Sequence, residues 1–197
     1  MSKTVDFFFD VGSPTSYLAY TQLKKICEET GSELVYRPML LGGVFKATGN
    51  ASPLTVPAKA QYMLKDMDRF AKRYGVPLHF NRHFPINTLN LMRAAAGMQL
   101  HQPERFQTFI DCLFTALWID GLNLNDMEVV ARVLTENSFD PELILRWVND
   151  PEVKERLKTT TELALQRGVF GAPSICVADE LFFGQDRLDF VREALMT

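Results

Sequence analysis

The sequence predicts an α/β fold in which a large helical segment separates two short regions of strand character. Three observations support this prediction: strand-like patterns occur near both ends of the chain, helical periodicity fills the middle, and turn residues divide the two. At 197 residues, the chain is long enough for one domain with a large insertion and a substantial apolar core.

The amino-terminal region has the pattern of a strand, a helix and a second strand. Residues 4–10 are mostly apolar and favour a strand, and residues 14–30 carry apolar side chains at helical spacing. Gly31 follows as a residue typical of helix carboxyl ends, where a left-handed conformation is common. Residues 33–37 favour a second strand, so the three elements predict a right-handed β-α-β unit.

The middle of the chain, after a glycine-containing segment at residues 41–50, is predicted to be helical almost continuously up to residue 167. The clearest apolar stripe begins at Phe106 and repeats at helical spacing as far as Leu117. We therefore expect a block of four to six helices. Capping or first-turn residues mark the starts of these helices at Thr55, Asn87, Pro103 and Asp140.

Strand character returns near the carboxyl end of the chain. Residues 174–177 and 181–183 are separated by a turn at residues 178–180, and this pattern predicts a hairpin. Asp186 then has the position of an amino-terminal cap, which predicts a last helix after it.

The order of these elements defines the predicted domain organisation. A β-α-β unit and a β-β-α unit that flank a helical block form the plan of a thioredoxin-like fold with a large inserted helical domain. We predict that residues 1–50 and 168–197 form the thioredoxin-like domain and that residues 51–167 form the inserted all-helical domain.

Charge and targeting features limit the expected partners and compartment. The formal net charge is -3, and lysine and arginine are scattered along the chain, so neither nucleic acid nor a membrane surface is an expected partner. Asp6 and Asp10 interrupt the apolar start, which does not have the pattern of a signal peptide. No apolar run is long enough to span a bilayer, and we expect a cytoplasmic protein.

The three cysteines, Cys27, Cys112 and Cys176, are far apart and include no Cys-x-x-Cys spacing. They provide neither a disulfide framework nor a zinc knuckle nor a dithiol redox site, and we expect buried thiols. A metal site is not expected elsewhere. His79 and His83 are four residues apart, but neighbouring prolines argue against the helix that such a metal-binding pair needs.

The turn at residues 12–17, between the first strand and the first helix, is the predicted site of chemistry. In thioredoxin-like redox proteins this turn holds Cys-Pro-x-Cys, because the unpaired N–H groups and dipole of the helix end stabilise a thiolate. Ser13 and Ser16 occupy both cysteine positions, so a reacting sulfur must come from outside, and glutathione is the expected supplier. Ser13 is equally well explained as a helix cap, and both roles are compatible because a hydroxyl donates and accepts.

Five short motifs occur in order along the chain and together carry a family resemblance. They are Ser13-Pro14-x-Ser16-Tyr17, Lys46-x-x-Gly49-Asn50, Val56-Pro57-x-Lys59-x-Gln61-Tyr62, Phe170-Gly171-Ala172-Pro173 and Phe183-Gly184-Gln185-Asp186-Arg187. Through them the chain resembles, over nearly its whole length, the 2-hydroxychromene-2-carboxylate isomerases and the kappa-class glutathione transferases, which share the DsbA-like fold.

The resemblance implies a glutathione site in which Ser13 is the catalytic residue and the peptide bond before Pro173 is cis. The backbone of Ala172 would pair with the cysteinyl part of glutathione, as an added strand pairs with a sheet edge. Simpler explanations stay open: a turn before a strand for Ala172, a Gly-Asn turn for Asn50 and a plain helix cap for Asp186. The implied glutathione-binding residues are Ser13, Asn50, Ala172, Pro173, Phe183, Gly184, Gln185 and Asp186.

The resemblance also implies a substrate site beside the glutathione. Lys46 resembles a residue that contacts the substrate in the isomerases, whereas Lys59 is better explained by a solvated helix face. Phe84 lies where the isomerases place an aromatic residue over the substrate, and it stands where some family members have tyrosine. A hydroxyl contact of those members is therefore missing here.

The implied function is a glutathione-dependent isomerase that interconverts 2-hydroxychromene-2-carboxylate and trans-o-hydroxybenzylidenepyruvate, small aromatic molecules of naphthalene-type catabolism. Two alternatives stay open: a kappa-like glutathione transferase that conjugates electrophiles, and a non-catalytic thioredoxin-like binding protein. The missing cysteines exclude a DsbA-type oxidoreductase. The sequence leaves both a monomer and a homodimer open.

Overall fold

A computed structural model describes residues 3–197 of the protein; residues 1 and 2, which belong to the predicted first domain, lie outside the described part. Its sheet consists of β1 (Thr4–Phe9), β2 (Glu33–Pro38), β3 (Ser174–Val177) and β4 (Glu180–Phe183). The strand order is β2-β1-β3-β4, with β1 parallel to β2 and the other two pairs antiparallel. Both ends of the chain therefore meet in one sheet, where Val5 is paired with Leu34 on one side and Val177 on the other.

Most of the chain between the strands is helical. The described helices are α1 (Pro14–Thr30), α2 (Leu41–Thr48), α3 (Pro57–Tyr74), α4 (Leu89–His101), α5 (Phe106–Trp118), α6 (Met127–Glu136), α7 (Pro141–Asn149), α8 (Pro151–Gln166) and α9 (Leu188–Met196). Six of them, α3 to α8, lie within residues 51–167, in agreement with the four to six helices expected there. The division into two domains at those boundaries stays a prediction.

Helix α1 begins and ends as the sequence predicts. The Ser13 hydroxyl accepts a hydrogen bond from the Ser16 N–H at 3.1 Å, and Pro14 occupies the first helical position. Gly31 has the left-handed conformation, with φ of 64°, and its N–H reaches the last carbonyls of the helix. The cap places Ser13 directly after β1 and at the positive end of a 17-residue helix.

The glycine-containing segment after β2 forms a helix, which the sequence analysis did not predict. Helix α2 spans Leu41–Thr48 although it contains two adjacent glycines, and it ends at Gly49. Val44 is completely buried, in an apolar cluster with Phe8, Met39 and Ala164. Burial of this side chain outweighs the weak helix propensity of glycine, because propensity is small compared with tertiary packing.

The expected starts of the inserted helices are partly correct. Asp140 caps α7 by accepting from the N–H groups of Glu142 and Leu143. Asn87 accepts from the Leu89 N–H at 3.2 Å, so it supports the start of α4 from two residues away. The expected cap at Thr55 is wrong: its hydroxyl donates to the Ser52 carbonyl within a 3-10 turn, and Val56 is the residue before α3.

The expected role of Asp186 as the cap of the last helix is also wrong. A 3-10 turn at Gln185–Arg187 precedes α9, and the cap position of α9 is Arg187, which makes no side-chain capping hydrogen bond. The Asp186 carboxylate instead accepts from the Arg187 guanidinium at 2.6 Å. The extra turn moves Asp186 away from the helix end, so its carboxylate is not needed by the backbone of α9.

One apolar core joins the sheet to the inserted helices. Phe7 and Phe9 of β1 are fully buried and stacked with ring centroids 5.0 Å apart, and Phe9 contacts Phe114 of α5 at 6.1 Å. Trp118, also fully buried, donates its indole N–H to the Val11 carbonyl at 2.8 Å. The inserted helices thereby hold the turn that follows β1.

All three cysteines are free and buried, as predicted. Burial raises the pKa of Cys27 and of Cys112 to about 11, and it also raises the pKa of Cys176. Thiols with raised pKa values carry little thiolate at neutral pH and are weak nucleophiles. None of the three therefore provides a reactive sulfur.

Candidate active site

The centre of the candidate site is the hydroxyl of Ser13 at the start of α1. Ser13 is 5% exposed, and its oxygen lies 2.9 Å from the Thr15 hydroxyl and 3.2 Å from the Ala172 carbonyl. It also accepts the capping hydrogen bond from Ser16. The Ser16 hydroxyl, in the second cysteine position of redox relatives, is fully buried and has no hydrogen-bond partner among the described residues. The two serines are therefore not equivalent.

The segment opposite Ser13 contains a cis peptide bond between Ala172 and Pro173, as the resemblance implied. A second cis bond, between Phe84 and Pro85, was not anticipated. The Ala172 carbonyl accepts from this serine and threonine cluster, whereas the described residues provide no acceptor for the Ala172 N–H. The Pro173 carbonyl accepts from the Gly184 N–H at 3.0 Å, which ties this segment to the end of β4.

Ser13, Thr15 and Ala172 line a cavity of about 1230 Å³, to which both the ends of the strands and the inserted helices contribute residues. Two predicted site residues, Pro173 and Lys46, are not part of the cavity wall. Lys46 is exposed in the last turn of α2, one residue after Phe45, which does line the cavity. Successive helical residues are rotated by about 100°, so the two side chains leave α2 in different directions. The predicted residues in the wall are Ser13, Asn50, Phe84, Ala172, Phe183, Gly184, Gln185 and Asp186.

Lys59 is the single lysine or arginine of the described residues that lines this cavity. It lies in the first turn of α3 and is exposed. The acidic residues of the wall are Asp10 and Asp186. The family resemblance pointed to Lys46, whereas Lys59 was better explained by a solvated helix face.

Asn50 and its aromatic neighbours form one edge of the cavity. The Asn50 amide donates to the Phe170 carbonyl at 2.9 Å and accepts from the Ala51 N–H at 2.8 Å. The rings of Phe170 and Phe183 lie 4.6 Å apart, and each is 41% exposed. Asn50 thus ties the segment after α2 to the residues before the cis proline.

The conformation of Gly184 brings Gln185 and Asp186 to the cavity. Gly184 has φ of 102°, and a Cβ atom there would lie 2.4 Å from a carboxylate oxygen of Asp186. Gln185 is buried, and its carbonyl accepts from the Tyr74 hydroxyl at 2.5 Å. Glycine is required at position 184 because a Cβ atom there would clash with the Asp186 carboxylate and because L side chains rarely adopt this φ.

A buried carboxyl group below the Ser13 turn was missed by the sequence analysis. Asp10 is 1% exposed and accepts from the N–H groups of Gly12 and Leu41 and from the Thr88 hydroxyl, each at 2.9 Å. Burial raises the pKa of the Asp10 carboxyl, although the three hydrogen bonds oppose this effect. Asp10 connects the Ser13 turn to the starts of α2 and α4. Its position directly after an apolar strand was the available signal.

An aromatic cluster covers another side of the cavity. The rings of Phe80 and Phe84 lie 5.6 Å apart, and both contact Trp118, at 6.3 and 6.1 Å. Phe80 is 42% exposed and lines the cavity together with Phe84. Phe84 alone was identified from the sequence, because the family resemblance implied an aromatic residue over the substrate at that position. These rings provide an apolar surface suited to a planar ligand.

Two further observations concern metals and membranes. Within residues 3–197, no three or more His, Cys, Asp and Glu side chains are placed together so that they could hold a metal ion. Every helix of the same residues is too short or too polar to cross a bilayer. The His79 ring, which the sequence analysis considered as a metal ligand, lies 2.6 Å from the Ile119 carbonyl.

Fold and site together define the class of protein. Residues 4–196 match the family described as DSBA-like thioredoxin domain, and the chain belongs to this family. The predicted thioredoxin-like fold with its helical insertion is thereby confirmed. A solved structure described as 2-hydroxychromene-2-carboxylate isomerase superposes with a TM-score of 0.83 at 29% identity, covering 98% of this chain and 94% of that chain.

The similar proteins include the two groups that the motifs indicated. A 2-hydroxychromene-2-carboxylate isomerase of Sphingobium xenophagum is 32% identical over 198 residues, which is 100% of each chain. Glutathione S-transferase kappa 1 of Homo sapiens is 28% identical and covers 99% of this chain and 92% of its own. The recognised resemblance and the expectation of an enzyme of the isomerase type are confirmed at this level.

Proposed function

We propose that the protein is a glutathione-dependent isomerase that interconverts 2-hydroxychromene-2-carboxylate and trans-o-hydroxybenzylidenepyruvate in the catabolism of aromatic compounds. One observation carries this proposal: the Ser13 hydroxyl, at the positive end of α1 and 3.2 Å from the Ala172 carbonyl, faces a cavity with an aromatic wall. The relatives named as isomerases support the choice of reaction.

The residues present fit glutathione. Ala172 lines the cavity with an N–H that has no acceptor among residues 3–197, so it can receive the backbone carbonyl of a peptide ligand. Lys59 and Asp186 bring opposite charges to the same wall, and glutathione carries both carboxylates and an ammonium group. Asn50 and Gln185 add polar groups to the same wall.

Bound glutathione would supply the thiolate that adds reversibly to the unsaturated substrate and permits rotation about a former double bond. A free thiol has a pKa of about 8.5 and is mostly protonated at neutral pH. Each unit by which the site lowers this pKa requires about 1.4 kcal/mol of stabilisation of the thiolate. The Ser13 hydroxyl can donate a hydrogen bond to the thiolate while its oxygen still accepts from Ser16. The amino end of α1 adds a favourable dipole.

The opposite wall is suited to the aromatic substrate. Phe80 and Phe84 present ring faces and edges against which a planar aromatic acid can pack. Lys59 is the cation of the wall that can hold a substrate carboxylate. A role of Lys46 toward the substrate stays a prediction from the family resemblance.

Assays with and without glutathione test the proposed function. The purified protein should isomerise 2-hydroxychromene-2-carboxylate only when glutathione is present. Ser13→Ala should reduce kcat by roughly ten- to a thousandfold, the range for losing one hydrogen-bond donor to a developing or full negative charge. Stability should fall by about 1 kcal/mol through the lost helix cap. Isomerisation that is independent of glutathione, or unchanged in the Ser13→Ala protein, would contradict the proposal.

A kappa-like glutathione transferase is the second candidate, favoured by the similarity to the kappa-class relative and by the size of the cavity. The same protein preparation should be assayed with a neutral chloronitrobenzene. Conjugation of this electrophile without isomerase activity would favour the transferase. Glutathione binding without either activity would favour a binding protein.

A further inference from the structure

Two hydroxyl groups compete for the same acceptor at the start of α1. The Ser13 and Thr15 oxygens lie 2.9 Å apart, and each is 3.2 Å from the Ala172 carbonyl oxygen. Thr15 is the second residue of α1, directly after Pro14, and it lines the same cavity. The three oxygens therefore form one hydrogen-bonded cluster at the surface where a thiol ligand would bind.

A count of hydrogens shows what each hydroxyl can do. A hydroxyl has one hydrogen and can accept two hydrogen bonds. The Ser13 oxygen already accepts from the Ser16 N–H, and its single hydrogen can point at the Ala172 carbonyl, at the Thr15 oxygen or at a ligand. If that hydrogen points at a ligand sulfur, the serine no longer donates to Ala172. The Thr15 hydroxyl is the donor within reach that can replace it.

We propose that Thr15 is a positioning residue that directs the Ser13 hydrogen toward the bound thiolate. When Thr15 donates to the Ala172 carbonyl, it satisfies the acceptor that would otherwise compete with the ligand. When Thr15 donates to the Ser13 oxygen, it fills that oxygen's second acceptor position and polarises the O–H bond. The first arrangement frees the Ser13 hydrogen for the ligand, and the second makes that hydrogen a stronger donor. The inference rests on the proposed function, because it requires a thiol ligand at Ser13.

The surrounding residues limit the other donors available. The Ser16 hydroxyl is buried, does not line the cavity and has no partner among the described residues, so it takes no part in the cluster. The nearby Asp10 carboxyl already accepts three hydrogen bonds from other groups. Among residues 3–197, Thr15 is therefore the side chain that hydrogen-bonds to both Ser13 and the Ala172 carbonyl.

The test is a pH titration of the glutathione thiolate bound to the whole protein, followed by its ultraviolet absorbance. Thr15→Val removes the hydroxyl and keeps the branched shape, and it should raise the titration midpoint by roughly half to one pH unit, the effect of a hydrogen bond of ordinary strength. The value of kcat should fall by roughly three- to tenfold, with the Kd for glutathione within about twofold. Thr15→Ser retains the hydroxyl and should restore the wild-type midpoint.

Thr21→Val is the matched control, since Thr21 is on the same helix and its hydroxyl donates to the Leu18 carbonyl and accepts from the Gln22 amide, neither of which lines the cavity. It should leave the midpoint unchanged. A shift in Ser13→Ala without a shift in Thr15→Val would overturn the role of Thr15 while the proposed function stands. A shift in Thr15→Val that Thr15→Ser does not restore would also overturn it. Absence of glutathione binding to the wild-type protein would overturn both.

Discussion

At the scale of single residues, the site depends on a few groups that serve two purposes. Ser13 caps α1 and faces the cavity with the same oxygen, so the stability of the helix and the chemistry share one residue. The charges of the cavity are equally few, with Lys59 as the cation and Asp10 and Asp186 as the acids among the described lining residues. Changes at these positions should therefore have specific effects.

The two lysines provide a direct test of sequence against structure. Lys59→Met should reduce kcat/KM for the chromene carboxylate by roughly ten- to a hundredfold, because a charge-assisted hydrogen bond contributes about 1.5–3 kcal/mol. Lys46→Met, the matched control, should change it by less than about twofold, because Lys46 is outside the cavity wall. The Kd for glutathione, measured on both variants, distinguishes two roles of Lys59. It should rise in Lys59→Met if Lys59 holds a carboxylate of glutathione, and it should stay unchanged if Lys59 holds the carboxylate of the substrate. A larger loss in Lys46→Met would favour the residue that the family resemblance indicated.

Asp10 should make stability depend on pH. Burial raises the pKa of its carboxyl in the folded protein, so the folded state holds this proton more tightly than the unfolded chain. Its contribution to stability is therefore fully present below about pH 4 and is lost as the pH rises through the folded-state pKa. The difference in free energy of unfolding between the wild type and Asp10→Asn should decrease over that range in denaturant titrations.

The Thr88 hydrogen bond provides a second arm of this experiment. Because that bond lowers the pKa of Asp10, Thr88→Val should move the loss of stability to higher pH. A stability difference that grows as the pH rises would mean that the three hydrogen-bond donors outweigh burial and hold the carboxyl ionised.

At the scale of elements, the ends of helices and strands place the functional groups. Residues 170–172, before the cis proline, and residues 183–186, at the end of β4 and in the 3-10 turn after it, line the same cavity, and Tyr74 of α3 supports this turn by donating to the Gln185 carbonyl. Helix α2 contributes Phe45 to the same cavity. Its formation from a glycine-containing segment shows that packing against Phe8 and Ala164 decides this element.

Gly184→Ala tests the connection between β4 and the cavity. The new Cβ would meet the Asp186 carboxylate at 2.4 Å, and the φ of 102° is unfavourable for alanine. Stability should fall by about 1–3 kcal/mol, and glutathione should bind more weakly because Asp186 must move. Gly75→Ala is the control: its φ is also positive, at 66°, but nothing lies within 4 Å of the new atom. Calorimetric titration should find its glutathione affinity unchanged.

At the scale of the whole molecule, the cavity lies between segments that are distant in the chain. Asp10 of the amino-terminal part, Thr88 of the inserted part and Ala172 of the carboxyl-terminal part all contribute to its wall. A ligand that contacts all three holds the parts together and should stabilise the folded state as a unit.

Glutathione should therefore raise the melting temperature of the protein. At roughly a hundred times its dissociation constant, the ligand should add about 2.7 kcal/mol to the free energy of unfolding. Thermal melts at increasing glutathione concentrations measure this effect, with oxidised glutathione as a comparison that has no free thiol. Melting temperatures that do not change at millimolar concentrations of reduced glutathione would contradict the cofactor assignment.

The sequence by itself determined the order of the strands, the thioredoxin-like plan and the cap at Ser13, because these depend on local periodicity and on neighbouring residues. It also indicated the wall around Ala172 and Gly184 through motifs. Only the tertiary structure decided which side chains share the cavity, placing Lys59 in its wall and Lys46 outside. The position of a side chain depends on how distant segments pack. On α2, the rotation of about 100° between successive residues is enough to place Phe45 in the cavity wall and Lys46 outside it. The role proposed for the Thr15 hydroxyl likewise depends on the tertiary structure, because folding brings the Ala172 carbonyl within hydrogen-bond distance of it.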